Sequence, residues 1–458
     1  MKTILRTFVG CTAILFGTAC MGAVKYVPEN MKVELSLKVP GNNAVNYKLH
    51  PDKLENSYFD YEWRSDNKLP ITVFHKVEER DSCMRLTVQL TAAQDVYFNY
   101  RQLLSTGYRH DNCQFYMPGF WYRRNLRSPK KAPSFHTSDS WLVREDRLSA
   151  PLTGIFSEKE KRFMTVNRLD DFSMDALATH KEGEIILSGK TSLGFTGFEN
   201  QQGIAMLSFG FPYREAPKSY IRKLTLAPEV EAFQLMKKGE SVLLTWEIME
   251  SGADDFSDFI QHTWEHCYDT YAPKPVENSY SIADMKQVLS CFFVNSLVDN
   301  QPLVYNSGIH LKVSDCERNG QAEVGFIGRV LLNAFNAWEY GWQSNREELK
   351  VNSTKIFDSY LKNGFTQAGF FKESVNFDKG YEEPIHSIRR QSEGVYAMFH
   401  FLAYEKENGR RHPEWEQKLK RILDMFLQLQ NVDGSFPRKF RDDLTIVDPS
   451  GGCLLYTS

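Results

Sequence analysis

The chain has 458 residues, of which 42% are hydrophobic and 25% are charged, and its formal net charge is −3. This length is enough for two or three globular domains with large cores. The near-neutral charge excludes the strongly basic composition by which nucleic-acid-binding proteins are recognised. We therefore expect a multidomain globular protein that has no nucleic-acid partner.

Residues 1–23 have the composition of a secretory signal. Lys2 and Arg6 precede an apolar run from Phe8 to Ala19, which is too short to span a bilayer. The sequence therefore predicts an exported protein, located in the periplasm or at the surface of a bacterial cell.

Cys20 offers a route to membrane attachment. It follows Gly17, Thr18 and Ala19, and this stretch resembles the cleavage box of a bacterial lipoprotein, except that Gly17 stands where that box usually has leucine. Two outcomes stay open: a lipid on Cys20 that holds the protein on an outer membrane surface, or soluble export after cleavage at Ala23.

The cysteines outside the signal and the last six residues show no metal-binding spacing. They are Cys83, Cys113, Cys267, Cys291 and Cys316. An odd, widely spaced set without a CxxC pair indicates neither a zinc knuckle nor a dense disulfide scaffold. One disulfide, between Cys83 and Cys113, is compatible with the sequence but is not selected by it.

Residues 24–253 are predicted to form a large antiparallel β-sandwich. Val33, Leu35, Leu37 and Val39 alternate with polar residues, which is the pattern of a strand with one buried face. Similar runs recur at 70–77, 84–91, 95–100, 162–167, 184–188, 203–209, 221–226 and 241–248. Many strands with hardly a helix favour this architecture.

Residues 254–280 are predicted to be a linker. Apolar residues at helical spacing from Phe256 to Tyr268 indicate a helix over 254–271, and Pro273 and Pro275 then form a stiff boundary.

The linker helix contains the order H-x-x-E-H, at His262, Glu265 and His266. This is the order of the inverted zinc-protease motif, which places two imidazoles one turn apart. The sequence shows no evident third ligand, and the alternative is a pair of solvent-facing linker histidines. We include no metal ligand among the predicted site residues.

Residues 281–452 are predicted to contain five helices of two kinds. Three outer helices carry one apolar stripe each, and we expect them to bury one face. The stripes are Met285, Val288, Leu289, Phe292; Leu349, Ile356, Phe357, Tyr360; and Trp415, Leu419, Ile422, Phe426. Two inner helices, Val324–Trp338 and Gly394–Tyr404, are apolar nearly all round, and we expect protein on every side of them.

The connections differ in length according to their direction. Outer helices are predicted to begin at Ser281, Ser344 and His412, so a helical hairpin repeats roughly every 65 residues. Links from an outer to an inner helix, about 300–321 and 364–390, are long. Long loops gathered at one end of a compact array are usually functional.

This pattern resembles the (α/α)6 toroid of six-hairpin glycosidases and related lyases. The order of β-sandwich, linker helix and helical hairpins is similar to that of glucoamylase-like and disaccharide-phosphorylase enzymes. The resemblance implies carbohydrate chemistry in a funnel lined by the outer-to-inner loops. Residues 281–452 hold too few hairpins to close a ring, and residues 453–458 look like a translated adapter, so we expect a truncated toroid with an artefactual tail.

Glycosidic cleavage needs a protonated carboxyl group at the leaving oxygen and a second carboxylate across the sugar ring. The predicted catalytic residues are Asp433, Glu393 and Asp315, because each lies near the start of an inner helix, where the helix dipole acts on charge. By the resemblance, the acid follows the fifth helix, at Asp433 or a neighbour. Asp433 also fits a simple turn cap.

Seven residues are predicted to bind substrate. They are Trp121, Tyr122, Tyr381, His386, Arg389, Arg390 and Arg438. Arginine forks match carboxylates, so their number among the funnel loops indicates an acidic, uronate-containing glycan. Trp121 and Tyr122 belong to an aromatic-rich segment of the sandwich, which either stacks on sugar rings or simply packs onto the sheet.

Three functions follow from this reading. A glycoside hydrolase acting on an acidic glycan is the leading prediction. A polysaccharide lyase is the second, because Tyr381 or His386 could serve as the base for elimination and the arginines could neutralise a carboxylate. The third is a surface glycan-binding protein without catalysis. No dinucleotide turn and no GxSxG elbow is present, and no cofactor is expected.

Overall fold

A computed structural model describes residues 28–53, 60–80, 83–126, 132–171, 173–176, 182–222, 225–312, 314–326 and 329–451. The predicted signal at 1–23, with Cys20, and the predicted tail at 453–458 lie outside these ranges. The chain divides into two compact units, Met1–Lys274 and Pro275–Ser458, and their boundary falls inside the predicted linker. Among the described residues, no helix is long and apolar enough to cross a membrane.

The first unit is built mainly from strands. Its strands are β1 (Met31–Lys38), β2 (Val45–Lys53), β3 (Asp60–Arg64), β4 (Ile71–Glu79), β5 (Cys83–Ala92), β6 (Val96–Arg109), β7 (Cys113–Met117), β8 (Trp121–Arg123), β9 (Trp141–Arg144), β10 (Leu152–Ser157), β11 (Arg162–Arg168), β12 (Gly183–Ile186), β13 (Phe195–Gln201), β14 (Ile204–Phe211), β15 (Arg214–Glu215), β16 (Ser219–Arg222), β17 (Thr225–Ala227), β18 (Val230–Met236) and β19 (Ser241–Gly252). The alternating runs read from the sequence fall on these strands, although the run 221–226 divides between β16 and β17.

The strands pair into two long antiparallel ladders. One runs β2–β1–β6–β14–β13–β9, and the other runs β3–β4–β5–β19–β11–β10–β7–β8. Strand β2 pairs with β1 through Val45–Leu49 and with β3 through His50–Lys53, so it belongs to both ladders. One parallel pair, β12 with β18, is also present. For residues 24–253 we predicted a β-sandwich, and the structure confirms the coarser part of that prediction, a large antiparallel sheet.

Side chains from both ladders share one core. Trp246 of β19 lies 6.4 Å from Tyr100 of β6 and 5.1 Å from Phe209 of β14, measured between ring centroids. All three side chains are buried. Because burying a large apolar side chain contributes about 1.5–3 kcal/mol, these contacts are a main source of the unit's stability.

Helix α1 (Phe256–Tyr271) packs on the sheet of the first unit. Asp255 begins it by accepting hydrogen bonds from the backbone N–H groups of Ser257 and Asp258. Phe259 is fully buried against Phe156 and Phe163, with ring centroids 5.9 and 4.9 Å away. The helix predicted as a linker is therefore a packed part of the sheet unit.

In the part of the chain that the structure describes, the second unit contains five helices. The helices are α2 (Ile282–Asn295), α3 (Val330–Gln343), α4 (Glu347–Asn363), α5 (Ile388–Glu407) and α6 (Pro413–Leu429). Helix α3 packs against α4 and α5, α5 also contacts α6, and α2 packs against α4 and α3. Five helices are consistent with helical hairpins, but they do not confirm the truncated (α/α)6 toroid that we expected.

Two of the three predicted outer stripes are buried and the third is not. The stripes on α4 and α6 are in the core of the unit. On α2, however, Met285, Val288, Leu289 and Phe292 are 42–67% exposed, while Ser290 and Phe293 turn inward. The prediction for α2 was wrong, because helical periodicity identifies an apolar face without specifying what covers it.

The inner helices also depart from the prediction. Helix α3 begins at Val330, six residues later than predicted, because Phe326 and Arg329 have positive φ angles of 66° and 44°, which a helix does not allow. Leu331 and Phe401 are buried, but Phe399 is exposed, so protein does not surround α5 on every side.

Short strands occupy the connections of the second unit. They are β20 (Leu297–Val298), β21 (Tyr305–Asn306), β22 (Ile309–Leu311), β23 (Cys316–Arg318), β24 (Gln321–Glu323), β25 (Ser374–Asn376), β26 (Tyr381–Glu382), β27 (His386–Ser387), β28 (Pro437–Phe440) and β29 (Ile446–Gly451).

We predict that Gly154→Ala destabilises the first unit. A Cβ atom at Gly154, on β10, lies 2.6 Å from Cζ of Phe259, and the neighbouring phenyl rings leave that side chain no room to shift. Overpacking of this kind costs about 1–3 kcal/mol, to be measured by chemical denaturation. Gly252→Ala is the matched control, because its Cβ meets nothing nearer than 3.7 Å. Equal losses in the two variants would contradict the packing of α1 described here.

Candidate active site

Three long loops of the second unit are joined by short strands. Strand β24, between α2 and α3, pairs with β25, between α4 and α5. Strand β27, just before α5, pairs with β28, which follows α6. These pairings gather the outer-to-inner loops beside the start of α5, as the sequence predicts.

At least three cavities of similar size lie in this unit, and two of them bear on the prediction. One of 410 Å³ lies between the loops; its lining residues include Lys372, Glu382, Glu383, His386 and Asp442. The other, of 480 Å³, lies between α2 and α3. The predicted loops therefore line a cavity, but it is the smaller of these two.

Glu373 is a buried carboxyl group in the loop between α4 and α5, directly before β25. Glu373 is 2% exposed, and the backbone N–H of Ser387 donates a hydrogen bond to its Oε2. Nη1 of Arg390 lies 3.5 Å from Oε1, and Nη2 of the same guanidinium lies 3.7 Å from Oε1 of Glu323. Burial raises the pKa of Glu373 to about 7, against the opposing effects of the Ser387 hydrogen bond and the Arg390 charge.

His386 lies next to this carboxyl group and is held on both ring nitrogens. Nε2 is 2.8 Å from Oδ1 of Asp442, and Nδ1 is 3.3 Å from Nε2 of Gln391. Thr366 also donates to Oδ1 of Asp442. The imidazole therefore connects the second loop to the third and is itself buried.

Glu393, a predicted catalytic residue, is buried in the first turns of α5. It accepts a hydrogen bond from the backbone N–H of Phe326 and one of 3.0 Å from Nε of Arg389, and Nε of Arg329 lies 3.7 Å away. The guanidinium groups of Arg389 and Arg390 lie over the Phe326 ring at 4.9 and 5.4 Å. Glu393 thus fixes the strained loop before α3 to α5.

Asp433 and Asp315, the other predicted catalytic residues, are turn residues. Asp433 accepts hydrogen bonds from the hydroxyl and the backbone N–H of Ser435, and these lower its pKa. Asp315 accepts from the backbone N–H of Cys316 between β22 and β23. A carboxylate stabilised in its charged form at a turn is a poor proton donor, so the cap reading of Asp433 fits the structure better than the catalytic one.

The predicted arginines are engaged by acidic partners. Arg389 pairs with Glu393, and Arg390 pairs with Glu373 and Glu323. Arg438 lies 3.7 Å from Asp448. These guanidinium groups therefore do not form an unpaired cationic surface, because each lies within ion-pair distance of a carboxylate.

The predicted aromatic residues have different environments. Tyr381, on β26, is 49% exposed. In the first unit Tyr122 is exposed, whereas Trp121 is completely buried against Trp141 and Phe198. The role predicted for Trp121 was wrong, because both faces of its indole are covered by the core and cannot stack on a sugar.

Sequence reasoning did not select Glu373, Glu323 or Asp442. Glu373 is one of many loop carboxylates, and its spacing does not distinguish it. One weak signal was present: Phe370 and Phe371 lie three and two residues before it, and such an apolar pair draws nearby residues into the core. The pairing of β24 with β25, which places Glu323 beside Glu373, is a tertiary feature.

No family model and no curated protein matches the chain. Among solved structures, a polysaccharide lyase is similar with a TM-score of 0.35 and 11% identity, over 87% of this chain and 62% of the lyase. A galactose mutarotase related enzyme from Lactobacillus acidophilus gives a TM-score of 0.26 and 9% identity, over 48% of this chain and 79% of that enzyme. A putative kojibiose phosphorylase from human microbiome gives 0.20 and 7%, over 82% of this chain and 42% of that protein.

The chain spans less than two thirds of the length of the lyase and of the phosphorylase. Likeness at these TM-scores does not establish a common fold. The chemistry of the site must therefore be inferred from its own side chains.

We predict that Glu373→Gln removes a pH dependence of stability. The carboxyl pKa rises from 4.5 to about 7 on folding, so the fold binds this proton more tightly than the unfolded chain does. That contribution is complete below about pH 4.5 and is lost as pH rises through 7. Between about pH 4 and pH 8, the unfolding free energy of the variant minus that of the wild type should rise by about 3 kcal/mol, measured by chemical denaturation.

Glu405→Gln is the matched control for this measurement. Burial alone would raise the pKa of Glu405, but hydrogen bonds from Arg410 and His412 lower it. The charged Glu405 therefore contributes to stability above its unfolded pKa. The unfolding free energy of Glu405→Gln minus that of the wild type should fall as pH rises. If this difference changed with pH in the same direction for both variants, the result would contradict the buried, protonated state of Glu373.

Proposed function

We propose that the second unit is the catalytic unit of a carbohydrate-active enzyme, a glycoside hydrolase that acts on an acidic glycan with Glu373 as its proton donor. The observation that carries this proposal is the buried Glu373 carboxyl group, whose pKa is about 7. A general acid works best when its pKa lies near the working pH, because it is then protonated and still able to release the proton.

A second carboxylate lies beside the first. Glu323 and Glu373 approach opposite nitrogens of the same Arg390 guanidinium. Glycosidic hydrolysis uses two carboxyl groups with different roles, one as acid and the other as base or nucleophile. In this proposal Glu323 takes the second role.

Arg390 links catalysis to an acidic substrate. Its guanidinium lies 3.5 Å from Glu373, and its charge opposes the rise that burial causes in the pKa of that carboxyl group. A uronate carboxylate that binds Arg390 draws the guanidinium away and opens the path to Glu373. It also removes a cation that favours ionisation, so Glu373 holds its proton until the leaving oxygen takes it.

The contacts of the site favour hydrolysis over elimination. A lyase needs an available base, and both ring nitrogens of His386 are occupied. The hydroxyl of Tyr381 has a raised pKa, through partial desolvation and then the charge and hydrogen bond of Glu383. A tyrosine with a raised pKa is less often deprotonated near neutral pH, so less of it is present as the tyrosinate base that β-elimination needs.

Export belongs to the same proposal. The sequence pattern of residues 1–23 supports export from the cytoplasm to where polymeric glycans are met, and a lipid on Cys20 would hold the enzyme at the outer surface of a membrane. Globomycin sensitivity of processing in a bacterial host separates the lipidated form from the soluble one.

The test is a screen of acidic and neutral polysaccharides, with chromatography of the products. We expect new reducing ends without ultraviolet absorbance from at least one uronate-containing glycan, and a loss of about 100-fold or more in kcat for Glu373→Gln. The pH profile of kcat/KM should fall on its alkaline side as Glu373 loses its proton near pH 7.

Glu405→Gln again serves as the control, since this buried glutamate pairs with Arg410 and His412 at the far end of α5. It should retain activity. Products that absorb in the ultraviolet would instead identify a lyase. Glycan binding without turnover, unaffected by Glu373→Gln, would identify a non-catalytic binding protein.

A further inference from the structure

Three side chains of different chemistry meet beneath α1 in the first unit. Cys83 begins β5, Glu247 lies on β19, and His266 lies on α1. In the antiparallel pair of β5 and β19, Cys83 stands opposite Met249. The two-residue period of a strand therefore puts Cys83 and Glu247 on the same face of the sheet, and α1 packs on that face.

The distances between these side chains fit a metal site. One ligand atom from each residue lies within 4.8 Å of the other two, and Nε2 of His266 is 2.7 Å from Oε1 of Glu247. A tetrahedral zinc ion, with bonds of about 2.0 Å to nitrogen and oxygen and about 2.3 Å to sulfur, separates its ligand atoms by roughly 3.3–3.7 Å. Shifts of about an ångström in the side chains therefore accommodate the ion.

The surroundings orient the carboxylate and give access to it. Thr270 donates to Oε1 of Glu247 at 3.1 Å, and Nη2 of Arg85 lies 3.5 Å from Oε2. Cys83 and Glu247 are buried, while the His266 side chain is 20% exposed and provides an entry path. The positive charge of Arg85 opposes a divalent ion, and the negative thiolate and carboxylate together outweigh it.

We propose that Cys83, Glu247 and His266 bind one zinc ion, with water as the fourth ligand, and that the ion fastens α1 to the sheet. Sulfur and imidazole nitrogen favour zinc over calcium or magnesium, which prefer oxygen ligands. On binding, a zinc–sulfur bond replaces the S–H bond of Cys83, and the released proton passes to solvent.

This site differs from the H-x-x-E-H motif of the same helix. His262 lies 3.5 Å from Asp258, and Glu265 accepts a hydrogen bond from Gln261. Two of the three motif residues thus have partners on α1 itself. His266 instead finds its partners on the strands, which the helix sequence cannot show. The described cysteines are all free thiols, so Cys83 is not consumed by a disulfide with Cys113.

The test uses the full chain without an affinity tag, freed of metal by a chelator and then titrated with zinc. We expect one zinc per chain by elemental analysis and a higher thermal midpoint of unfolding. With cobalt in place of zinc, the visible and near-ultraviolet spectrum should show tetrahedral thiolate ligation. Cys83→Ala and His266→Ala should each weaken zinc binding by roughly 100-fold.

Two controls separate this site from other thiols and imidazoles. Cys113→Ala removes another buried cysteine of the first unit, and His262→Ala removes the other histidine of the motif. Both should bind zinc as the wild type does. Failure of the wild type to retain one zinc, or an unchanged affinity in Cys83→Ala, would show a hydrogen-bonded cluster only and overturn the proposal. Because the spectrum is read on the wild type, the test does not depend on the folding of any variant.

Discussion

The cost of burying a carboxyl group is the constraint on which the candidate active site depends. Glu373 is almost wholly removed from water, and a charged carboxylate there loses its hydration. The backbone N–H of Ser387 and the charge of Arg390, 3.5 Å away, compensate only part of that loss, so Glu373 keeps its proton until about neutral pH. The reactivity proposed for this group follows from that incomplete compensation.

Glu247 in the first unit shows the opposite result of the same cost. Burial alone would raise its pKa, but hydrogen bonds from His266, Thr270 and Cys83 lower it to about 2. Several hydrogen-bond donors contact this one carboxylate, and together they stabilise its charged form by more than desolvation destabilises it. Of these two buried glutamates, Glu373 is a neutral acid and Glu247 is an anion. The number of hydrogen-bond donors near each carboxyl group makes the difference.

The arrangement around α5 explains why its first turns carry so many charged residues. Arg389, Arg390 and Glu393 lie within two turns, and each has a partner in a loop or on the same helix. Charged pairs with poor solvent access are costly unless their geometry is complete, and they fix the loops in one arrangement. The loops before α3 and α5 are therefore held by α5 itself rather than by their own short strands alone.

Much of the secondary structure was determined by the sequence alone, because alternation and helical periodicity are local signals. The runs at 84–91 and 241–248 became β5 and β19, and the stripes of α4 and α6 are buried as expected. The start of α2 at Ser281 was also predictable, because the Ser281 hydroxyl and the Asp284 carboxylate form a capping box. The late start of α3 and the exposed stripe of α2 could not be predicted from the sequence. Backbone strain, and whether other residues cover an apolar face, depend on tertiary contacts.

The site residues were decided by the tertiary structure. Asp433 and Glu373 are both loop carboxylates in the sequence, yet hydrogen bonds from Ser435 lower the pKa of the first, and burial raises the pKa of the second. Likewise, the H-x-x-E-H order named His266, but only the pairing of β5 with β19 brings Cys83 and Glu247 to it. Sequence determines which groups are able to carry a charge or a proton; desolvation and neighbouring donors, which depend on residues far apart in the chain, determine which of them do.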